Sequence, residues 1–332
     1  MRSKTIFIVF VVTILILSLC SWGMAAEKTY NVIFSVKNIV NPFWKACWVG
    51  AQKAAAEYKG KVNITYTSPT KSDNIAEQTS QMEDIILKRP DAIVFVPVDY
   101  VALVPTVEKM NKANIPVFNY CNEMAGGKYH IYVGCDDETL AYEIAKFAFK
   151  TIGNKGKVII QDGVPGAITA QNRHKGFMKA IQETPGIELL TSQPANYNRL
   201  LGMQVMENLL QRFPKIDVVL AANDEQALGC VEAIDAAGKL KEIKVTGVDA
   251  NYDAAMSISQ GRHFASADYS GHNQGYLATK AAIKYLMGEK IPKRIILPVV
   301  IVTKENAKQW IVPFEQRPVP DWNKIVKENA VW

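Results

Sequence analysis

Residues Tyr30–Trp48 read YNVIFSVKNIVNPFWKACW, and this stretch decides the predicted fold. The run Val32–Phe34 is short and apolar, as in a buried strand, and a helical pattern begins at Pro42. Between the two lies a polar and aromatic tip that ends in Asn41–Trp44. The carboxyl end of a first strand is where an open α/β sheet binds ligands. The stretch therefore predicts both a strand–helix unit and a candidate binding site.

Short apolar runs alternate with helix-length amphipathic stretches along most of the chain. Strands that alternate with helices indicate βαβ units and a parallel sheet with helices on both faces, so the sequence predicts an α/β fold. The predicted strands are Val32–Val36, Val62–Tyr66, Ala92–Val96, Val117–Asn119, Ile131–Gly134, Val158–Gln161, Glu188–Thr191, Val218–Ala221 and Val245–Val248. The predicted helices include Ile75–Leu87, Leu140–Thr151, Gly176–Glu183, Leu201–Arg212 and Glu225–Ala237.

The chain is long enough for two lobes. Roughly 300 mature residues exceed what one core of this type usually holds. A break is expected near Gly134–Asp136, after the turn-rich segment Ala125–Gly127. No low-complexity linker separates the halves, which favours lobes joined by several close crossings. The proline-rich end, Pro313–Trp332, is expected to be irregular and to pack on a lobe through its aromatic residues.

Residues 1–26 have the pattern of a cleaved secretory signal peptide. Two basic residues precede the apolar run Thr5–Leu19, and the small residues of Gly23–Ala25 suit a cleavage site. The apolar run is shorter than the roughly 20 residues that a spanning helix needs. A lipid anchor at Cys20 is the alternative, although Leu19 stands where that motif requires a small residue. We therefore expect a periplasmic protein.

Charge and cysteine content exclude some classes of partner. The formal net charge is +6, and the charged residues are scattered rather than collected in a patch, which argues against nucleic acid as a partner. An oxidising compartment permits a disulfide, but a chain of this size can form a core without one. We expect four separately buried thiols, at Cys47, Cys121, Cys135 and Cys230.

No motif predicts an enzyme, a cofactor or a metal site. The chain lacks a Gly-x-Ser-x-Gly elbow, a Walker loop, a His-Glu-x-x-His pair and a Gly-x-Gly-x-x-Gly fingerprint. Its four histidines are dispersed, without metal-ligand spacing. The acidic triplet Asp136–Glu138 stands at a predicted helix start, where carboxylates stabilise the helix dipole, so we interpret it as a cap rather than a cation site.

Five motifs occur in the order and approximate spacing of the ribose-type periplasmic sugar-binding proteins, and the chain resembles that family over nearly its whole mature length. The resemblance implies a type I periplasmic binding protein of an ABC importer, with two Rossmann-like lobes, a three-crossing hinge and a ligand in the cleft between the lobes. The motifs are Asn41-Pro42-Phe43-Trp44, Ala113-Asn114-Ile115-Pro116-Val117, Gly176-Phe177, Ala222-Asn223-Asp224-Glu225-Gln226-Ala227-Leu228-Gly229 and Val245-Thr246-Gly247-Val248-Asp249.

The resemblance also implies where the chain changes lobe. The crossings are expected near Gly134-Cys135, Asp268-Tyr269 and Leu297-Pro298. The first lobe then comprises residues 27–134 and 270–297, and the second comprises residues 135–269 and 298–332.

A neutral polyol binds through flat apolar surfaces for its C–H faces and planar amide or carboxylate groups for its hydroxyls. The chain supplies both kinds of group near predicted strand ends. Trp44 and Trp48 are one helical turn apart, so a core stripe is the alternative for one of this pair. The candidates are Phe43, Trp44 and Tyr197 for rings and Asn41, Asn223 and Asp249 for polar contacts.

Helix capping is the alternative for each polar candidate. Asn41 before a proline is typical of an N-cap, and a cap is also open for Asp249. In the segment that follows Ala222 we assign the cap to Asp224 and ligand contact to Asn223. The resemblance favours ligand contact over capping for Asn41, Asn223 and Asp249.

Five positions depart from the ribose pattern that the resemblance implies. Cys121 and Asn122 stand where ribose binders carry an Asp-Arg pair, and Gln171 stands at the second ligand arginine. Val96 replaces an asparagine, and Tyr269 lies where a hinge-side glutamine is expected. Each lost bidentate contact leaves hydroxyls unpaired at about 1–3 kcal/mol. We therefore expect a small neutral ligand other than ribose, such as another sugar, a deoxysugar, a polyol or a cyclitol.

Two roles fit these observations. The first is capture of a solute for an ABC permease in the inner membrane. The second is sensing, in which the closed form docks to a chemoreceptor or a sensor kinase. Lys37 follows the first strand, where some autoinducer-2 binders also place a lysine. We favour the alternative that Lys37 is a solvated lysine at a strand end.

Overall fold

The predicted alternation of strands and helices is present in residues 28–332, the residues that this computed structural model describes. The predicted signal peptide and Cys20 lie outside the described residues. The strands are β1 (Tyr30–Ser35), β2 (Val62–Thr67), β3 (Ala92–Phe95), β4 (Val117–Tyr120), β5 (Tyr132–Cys135), β6 (Gly156–Asp162), β7 (Ile187–Pro194), β8 (Val218–Ala221), β9 (Lys244–Val248), β10 (Ala265–Asp268), β11 (Arg294–Leu297), β12 (Val300–Val302) and β13 (Ala330–Val331). The helices are α1 (Pro42–Ala56), α2 (Ile75–Leu87), α3 (Val104–Lys112), α4 (Asp137–Thr151), α5 (Ile168–Gln182), α6 (Arg199–Arg212), α7 (Asp224–Ala236), α8 (Tyr252–Ser259), α9 (Gly271–Leu286) and α10 (Trp322–Asn329).

The strands form two sheets. The first has seven strands in the order β13-β11-β5-β4-β3-β1-β2, and the second has six in the order β12-β10-β9-β8-β6-β7. Neighbouring strands are parallel, except that β13 is antiparallel to β11 and β12 is antiparallel to β10. Each sheet with its helices is a lobe, which confirms the predicted α/β fold with two Rossmann-like lobes.

Residues 28–332 pass between the lobes four times, once more than expected. The chain enters the second lobe with α4, returns with α9 and β11, enters again with β12 and returns before α10 and β13. The expectation that residues 298–332 all belong to the second lobe is wrong, because β13 pairs with Arg294 and Ile295 of β11 in the first sheet. The expectation of an irregular end is also wrong, because α10 and β13 form there.

Short polar side chains fix the starts of the helices near the space between the lobes. The Asn41 side chain accepts a hydrogen bond from the Phe43 N–H, and Pro42 holds the first helical position of α1. The Asp136 side chain accepts a hydrogen bond from the Thr139 N–H at the start of α4. The acidic triplet therefore caps α4, as the sequence predicted.

Within residues 28–332, no helix combines the length and the apolar character that crossing a bilayer requires. The described cysteines are buried with free thiols.

Helices α1 and α9 of the first lobe pack with their backbones almost in contact. A Cβ atom at Gly50 would lie 2.0 Å from the His272 carbonyl oxygen, and one at Gly275 would lie 1.9 Å from the Cys47 carbonyl oxygen. Only glycine fits at such a crossing. The crossing holds the start of α9, where the chain re-enters the first lobe, against the helix that begins with the aromatic pair at residues 43 and 44.

We predict that Gly275→Ala lowers the free energy of unfolding by about 1–3 kcal/mol, because the added methyl group forces α1 and α9 apart. In an exposed helix the same change would be favourable by about 1 kcal/mol. Urea unfolding followed by circular dichroism measures the difference. Gln204→Ala, at an exposed position of α6, is the control and should stay within about 0.5 kcal/mol of the parent. A Gly275→Ala protein as stable as the parent would contradict the close packing.

Candidate functional site

A cavity of about 710 Å³ lies between the two lobes, and we call it the cleft. Its walls come from the carboxyl ends of parallel strands in both sheets, and β1 lies between β3 and β2, where the strand order reverses. Such a switch point is the usual ligand position in open α/β sheets. Of the residues singled out in the sequence, the cleft is lined by Lys37, Asn41, Phe43, Trp44, Cys121, Asn122, Tyr197, Asn223, Asp249 and Tyr269.

The first-lobe wall of the cleft is aromatic. The rings of Phe43 and Trp44 meet edge to face, with centroids 4.9 Å apart and an interplanar angle of 85°. The Phe43 ring also lies 5.5 Å from the ring of Tyr269 on the hinge. Trp48 instead packs in the core against Phe34 and belongs to the core stripe. The Asn41 oxygen caps α1, which leaves the Asn41 amide nitrogen free to face the cleft.

The turn after β4 supplies a thiol and an amide at the floor of the cleft. Cys121 has a left-handed backbone with φ of 61°, and the Asn119 side chain holds the turn by bonding the Phe95 and Asn122 carbonyl oxygens. Burial raises the pKa of the Cys121 thiol to about 12, so the thiol is uncharged. This part of the floor is therefore polar but carries no charge.

Gln171, the predicted ligand residue of α5, does not line the cleft. Its side chain is exposed and donates to the Pro165 carbonyl oxygen, whereas Arg173 lines the cleft and is 3% exposed. Residues that are two positions apart on a helix are rotated by about 200° around its axis, so the side chains of Gln171 and Arg173 point to opposite faces. The cleft therefore contains a guanidinium, although Asn122 and Gln171 stand at the two positions where the resemblance implies arginines.

Sequence periodicity contains the signal that identifies Arg173. Thr169, Arg173, Gly176 and Ala180 are all buried on one face of α5, with the spacing of a core stripe. A charged side chain inside such a stripe needs a partner. Counting residues back from the Gly176-Phe177 motif does not show which side chains lie on the buried face of α5.

Arg173 is held by a buried ion pair. Its Nε donates to Asp137 Oδ1 at 2.7 Å, and its Nη1 donates to the Ala222 carbonyl oxygen at 2.7 Å. Burial alone would lower the pKa of Arg173, but Asp137 and nearby groups raise it well above its usual value, so the guanidinium stays charged. The hydrogen bonds of Arg173 within residues 28–332 do not use its second terminal nitrogen, Nη2.

Tyr269 links this ion pair to the first lobe. Its hydroxyl group lies 2.8 Å from Asp137 Oδ2 and 3.3 Å from the Cys121 carbonyl oxygen. The Arg173 guanidinium lies 4.3 Å from the centre of the Tyr269 ring. The ring of Tyr269 thus forms part of the floor, while its hydroxyl group is engaged by protein atoms.

The second-lobe wall begins with Asn223. Its Oδ1 accepts from the Gln226 N–H and caps α7, while its Nδ2 is buried without a partner among the described residues. The cap prediction for Asp224 is wrong. The Asp224 carboxylate instead accepts from Ser266 Oγ at 2.6 Å and from the Asn251 N–H at 2.8 Å. Asn223 can therefore cap the helix and donate into the cleft at the same time.

Asp249 presents a buried carboxyl group to the cleft. It is 6% exposed, it has φ of 120°, and the hydrogen bonds of the described residues include none to its carboxyl oxygens. Burial raises the pKa of Asp249 to about 8, and Arg173 opposes this shift only in part. The group carries a proton at neutral pH and needs a hydrogen-bonding ligand to be satisfied.

Tyr197 completes the second-lobe wall. Its backbone is left-handed, with φ of 57°, and its N–H donates to the Gln226 side chain at 2.9 Å. Its hydroxyl group lies 3.0 Å from Thr169 Oγ1. A Cβ atom at Gly163 would lie 2.2 Å from the Tyr197 ring, so glycine is needed for the ring to lie flat in the wall.

Lys37 is not a solvated lysine. It is 3% exposed, it lines the cleft, and its Nζ lies 2.9 Å from Asp73 Oδ1. The tertiary structure buries it, because the loop after β2 covers the end of β1. Val96 is fully buried but does not line the cleft, and its carbonyl oxygen accepts from the Gln78 side chain.

Several residues that line the cleft were not predicted from the sequence. Their exposure depends on loops and on helix phase rather than on strand ends. Besides Arg173, the lining includes Asn38, Asp73, Val164, Pro165, Thr169 and Glu225.

The chain is similar in sequence to periplasmic sugar-binding proteins. The sequence profile described as a periplasmic binding protein domain matches residues 32–290. The ribose import binding protein RbsB of Bacillus subtilis is 32% identical over 311 residues, which are 91% of this chain and 99% of that protein. The D-allose-binding periplasmic protein of Escherichia coli is 28% identical over 293 residues, which are 84% of this chain and 93% of that protein.

Two solved structures share the architecture. A periplasmic solute-binding protein of an ABC transporter from Actinobacillus succinogenes, with bound D-allose, has a TM-score of 0.80 and 30% identity and matches 84% of this chain and 99% of its own. A solute-binding protein from Bacillus halodurans, with bound myo-inositol, has a TM-score of 0.81 and 27% identity and matches 87% of this chain and 99% of its own.

We predict that Asp249→Asn stabilises the ligand-free protein, and more so at pH 8 than at pH 5.5. The pKa of Asp249 is higher in the folded protein than in an unfolded chain, so its contribution to stability is lost as pH rises towards 8. Asparagine does not ionise, so the stability difference between variant and parent should grow by roughly 1–3 kcal/mol over this range. Urea unfolding at both pH values measures it.

Asp253→Asn is the matched control, because Asp253 is on the same lobe with a side chain that is 59% exposed. It should give the same stability difference at both pH values. A difference for Asp249→Asn that does not change with pH would show that Asp249 is ionised in the ligand-free cleft.

Proposed function

The chain belongs to the periplasmic binding protein family of solute-binding proteins for sugar ABC importers, and on this basis we propose that it captures a small neutral sugar, deoxysugar, polyol or cyclitol in the cleft. The single observation that carries the proposal is the pairing of unsatisfied polar groups with aromatic rings. Within residues 28–332, Asn223 Nδ2 is buried without a partner and no hydrogen bond reaches the Asp249 carboxyl group, and both share the cleft with Phe43 and Trp44.

A neutral ligand suits the charge balance of the cleft. Lys37 is paired with Asp73, and Arg173 is paired with Asp137. Two further carboxyl groups line the cleft, Glu225 and Asp249, and burial raises the pKa of both, that of Asp249 to about 8. No unmatched cation among the described lining residues would favour an anion, whereas hydroxyl groups can both donate to and accept from these side chains.

The polar groups are arranged for a ring with hydroxyls on its edge. Arg173 Nη2 and Asn223 Nδ2 offer donors from the second lobe, and Asn122 offers an amide from the floor. The aromatic rings of the first lobe would cover the C–H face of a sugar or cyclitol. The D-allose and myo-inositol bound in the two similar structures are molecules of this kind, which supports the ligand class.

Ribose is a poorer fit than other members of this class. Arg173 supplies one guanidinium to the cleft. Cys121 and Asn122 still replace the acid–arginine pair of ribose binders, and a thiol offers only weak hydrogen bonds. A ligand with fewer or rearranged hydroxyls leaves fewer of them unpaired at this floor.

The proposed mechanism is capture by closure. A ligand that binds one lobe and then bridges to the other shifts the protein towards the closed state by its differential affinity for that state. The closed form would deliver the ligand to an ABC permease in the inner membrane, after export by the cleaved signal peptide. We propose no catalytic step, cofactor or metal for this site.

The proposal predicts that a neutral polyhydroxylated molecule co-purifies with the exported protein and is identified by native mass spectrometry. In a thermal-shift series with D-ribose, D-allose, myo-inositol and L-fucose, D-ribose should raise the melting temperature less than at least one of the other three. A larger shift with D-ribose than with any other compound would contradict the ligand assignment. Stabilisation only by amino acids or nucleotides would contradict the class.

A matched pair of substitutions tests the site. Asn223→Ser keeps an oxygen that can cap α7 but removes the amide donor, so stability should change by less than about 0.5 kcal/mol, while ligand affinity falls at least tenfold, or about 1.4 kcal/mol. Arg173→Lys keeps the charge beside Asp137 and should also lower affinity at least tenfold, because it removes the fork of donors.

Gln171→Ala is the control for both substitutions, since Gln171 is exposed on the same helix as Arg173. Isothermal calorimetry should show that Gln171→Ala binds the identified ligand with the affinity of the parent protein. Unchanged affinity in Asn223→Ser and Arg173→Lys would place the ligand elsewhere.

The import role is tested in cells. Deleting the gene should abolish uptake of the identified ligand at low concentration. Normal uptake together with a lost response to the ligand would instead assign the protein to sensing through a chemoreceptor or a sensor kinase.

A further inference from the structure

The segment Ala307–Arg317 crosses between the lobes, and we call it the strap. Its first end is fixed to the second lobe. Ala307 is fully buried in a small apolar cluster with Ala250, Ile258 and Val302, and Trp310 packs against the same cluster. Val302 is itself part of β12, which pairs with β10 of the second sheet. The strap therefore leaves the second lobe only after Trp310.

The other end of the strap is fixed to the first lobe. Phe314 is buried in a cluster with Ala46 and Val49 of α1. The Lys53 ammonium group, also on α1, donates to the Arg317 carbonyl oxygen. The chain then continues into α10 and β13, which complete the first sheet. Two separate anchors thus hold the strap, one on each lobe.

Arg317 stiffens the strap and ties it to the hinge. Its Nη2 donates to the Trp310 carbonyl oxygen at 2.8 Å, and its Nε donates to the Val312 carbonyl oxygen at 3.3 Å. Trp310 and Arg317 also interact with Asp268, the last residue of β10. Asp268 accepts from the Ser270 N–H at 2.7 Å at the crossing between β10 and α9. The strap therefore runs beside a hinge crossing.

The length of the strap sets a limit on lobe separation. Four peptide units join Trp310 to Phe314, and an extended chain spans at most about 3.6 Å per residue, so the anchors can separate by no more than about 14 Å. From this geometry we propose that the strap is a tether that limits how far the cleft opens. The proposal goes beyond ligand capture, and it holds for any ligand.

A limited opening has a functional consequence. The apparent affinity for a ligand decreases when a smaller fraction of the protein is in the binding-competent state. A wider range of open conformations reduces that fraction and therefore weakens binding. The tether would limit how many such conformations the ligand-free protein populates. Lengthening the strap should therefore increase the separation of the lobes in the open state without altering the binding groups of the cleft.

The test is a six-residue Gly-Ser insertion between Ile311 and Val312 in the full-length mature protein without ligand. The insertion keeps both anchors and adds up to about 20 Å of reach. Spin labels at Lys71→Cys on the first lobe and Gln204→Cys on the second report the lobe separation by pulsed electron paramagnetic resonance. Both labelled residues are exposed, whereas the native cysteines are buried.

The longest populated distance should increase by about 5 Å or more with the insertion. The same insertion after Gly60, an exposed turn of the first lobe where an added Cβ atom would contact nothing, should leave the distances unchanged. Phe314→Ser is a second variant that releases the first-lobe anchor, and it should broaden the distribution as well. Parental distance distributions in both strap variants, with folding verified by circular dichroism, would overturn the proposal.

Discussion

The buried ion pair between Arg173 and Asp137 is the interaction on which the cleft depends. A charge this deeply buried is tolerated only with a partner, and removing one member of such a pair typically costs about 3–5 kcal/mol. The pair joins α5 to the start of α4 and fixes the guanidinium at the floor of the cleft. Through the Tyr269 hydroxyl group it also contacts the first lobe at Cys121. The binding groups of the second lobe and the hinge are thus held by one network.

The cleft concentrates features that oppose stability. Among the described residues, Asp249 is buried without a hydrogen-bond partner, and Asn223 keeps an unsatisfied amide nitrogen. Cys121 and Tyr197 have left-handed backbones that few residues other than glycine adopt. The rest of the fold compensates through close packing, such as the glycine crossing of α1 and α9. A ligand that satisfies the polar groups would therefore gain free energy that the empty cleft lacks.

The sequence predicted what depends on local pattern. The apolar runs predicted β1 to β9 but none of β10 to β13. Asn41, Asn223 and Asp249 were selected because each follows a predicted strand or begins a helix. Arg173 was missed because its position depends on the rotational phase of α5, which counting along a motif does not determine. The burial of Lys37 depends on a loop from another part of the chain.

The end of the chain shows the same limit. Proline content predicted irregular structure, but β13 forms because the edge of the first sheet offers unpaired backbone groups at β11. No local pattern in the sequence encodes that pairing.

A crystal structure of the protein with its co-purified ligand tests the central claim most directly. In that structure, Arg173 Nη2 and Asn223 Nδ2 should donate to ligand hydroxyls, Asp249 should bond a further hydroxyl, and Phe43 and Trp44 should lie against the C–H face of the ligand. The Tyr269 hydroxyl group should stay bonded to Asp137. A ligand bound outside the cleft, or one that leaves Asn223 and Asp249 bonded only to water, would contradict the proposed binding site.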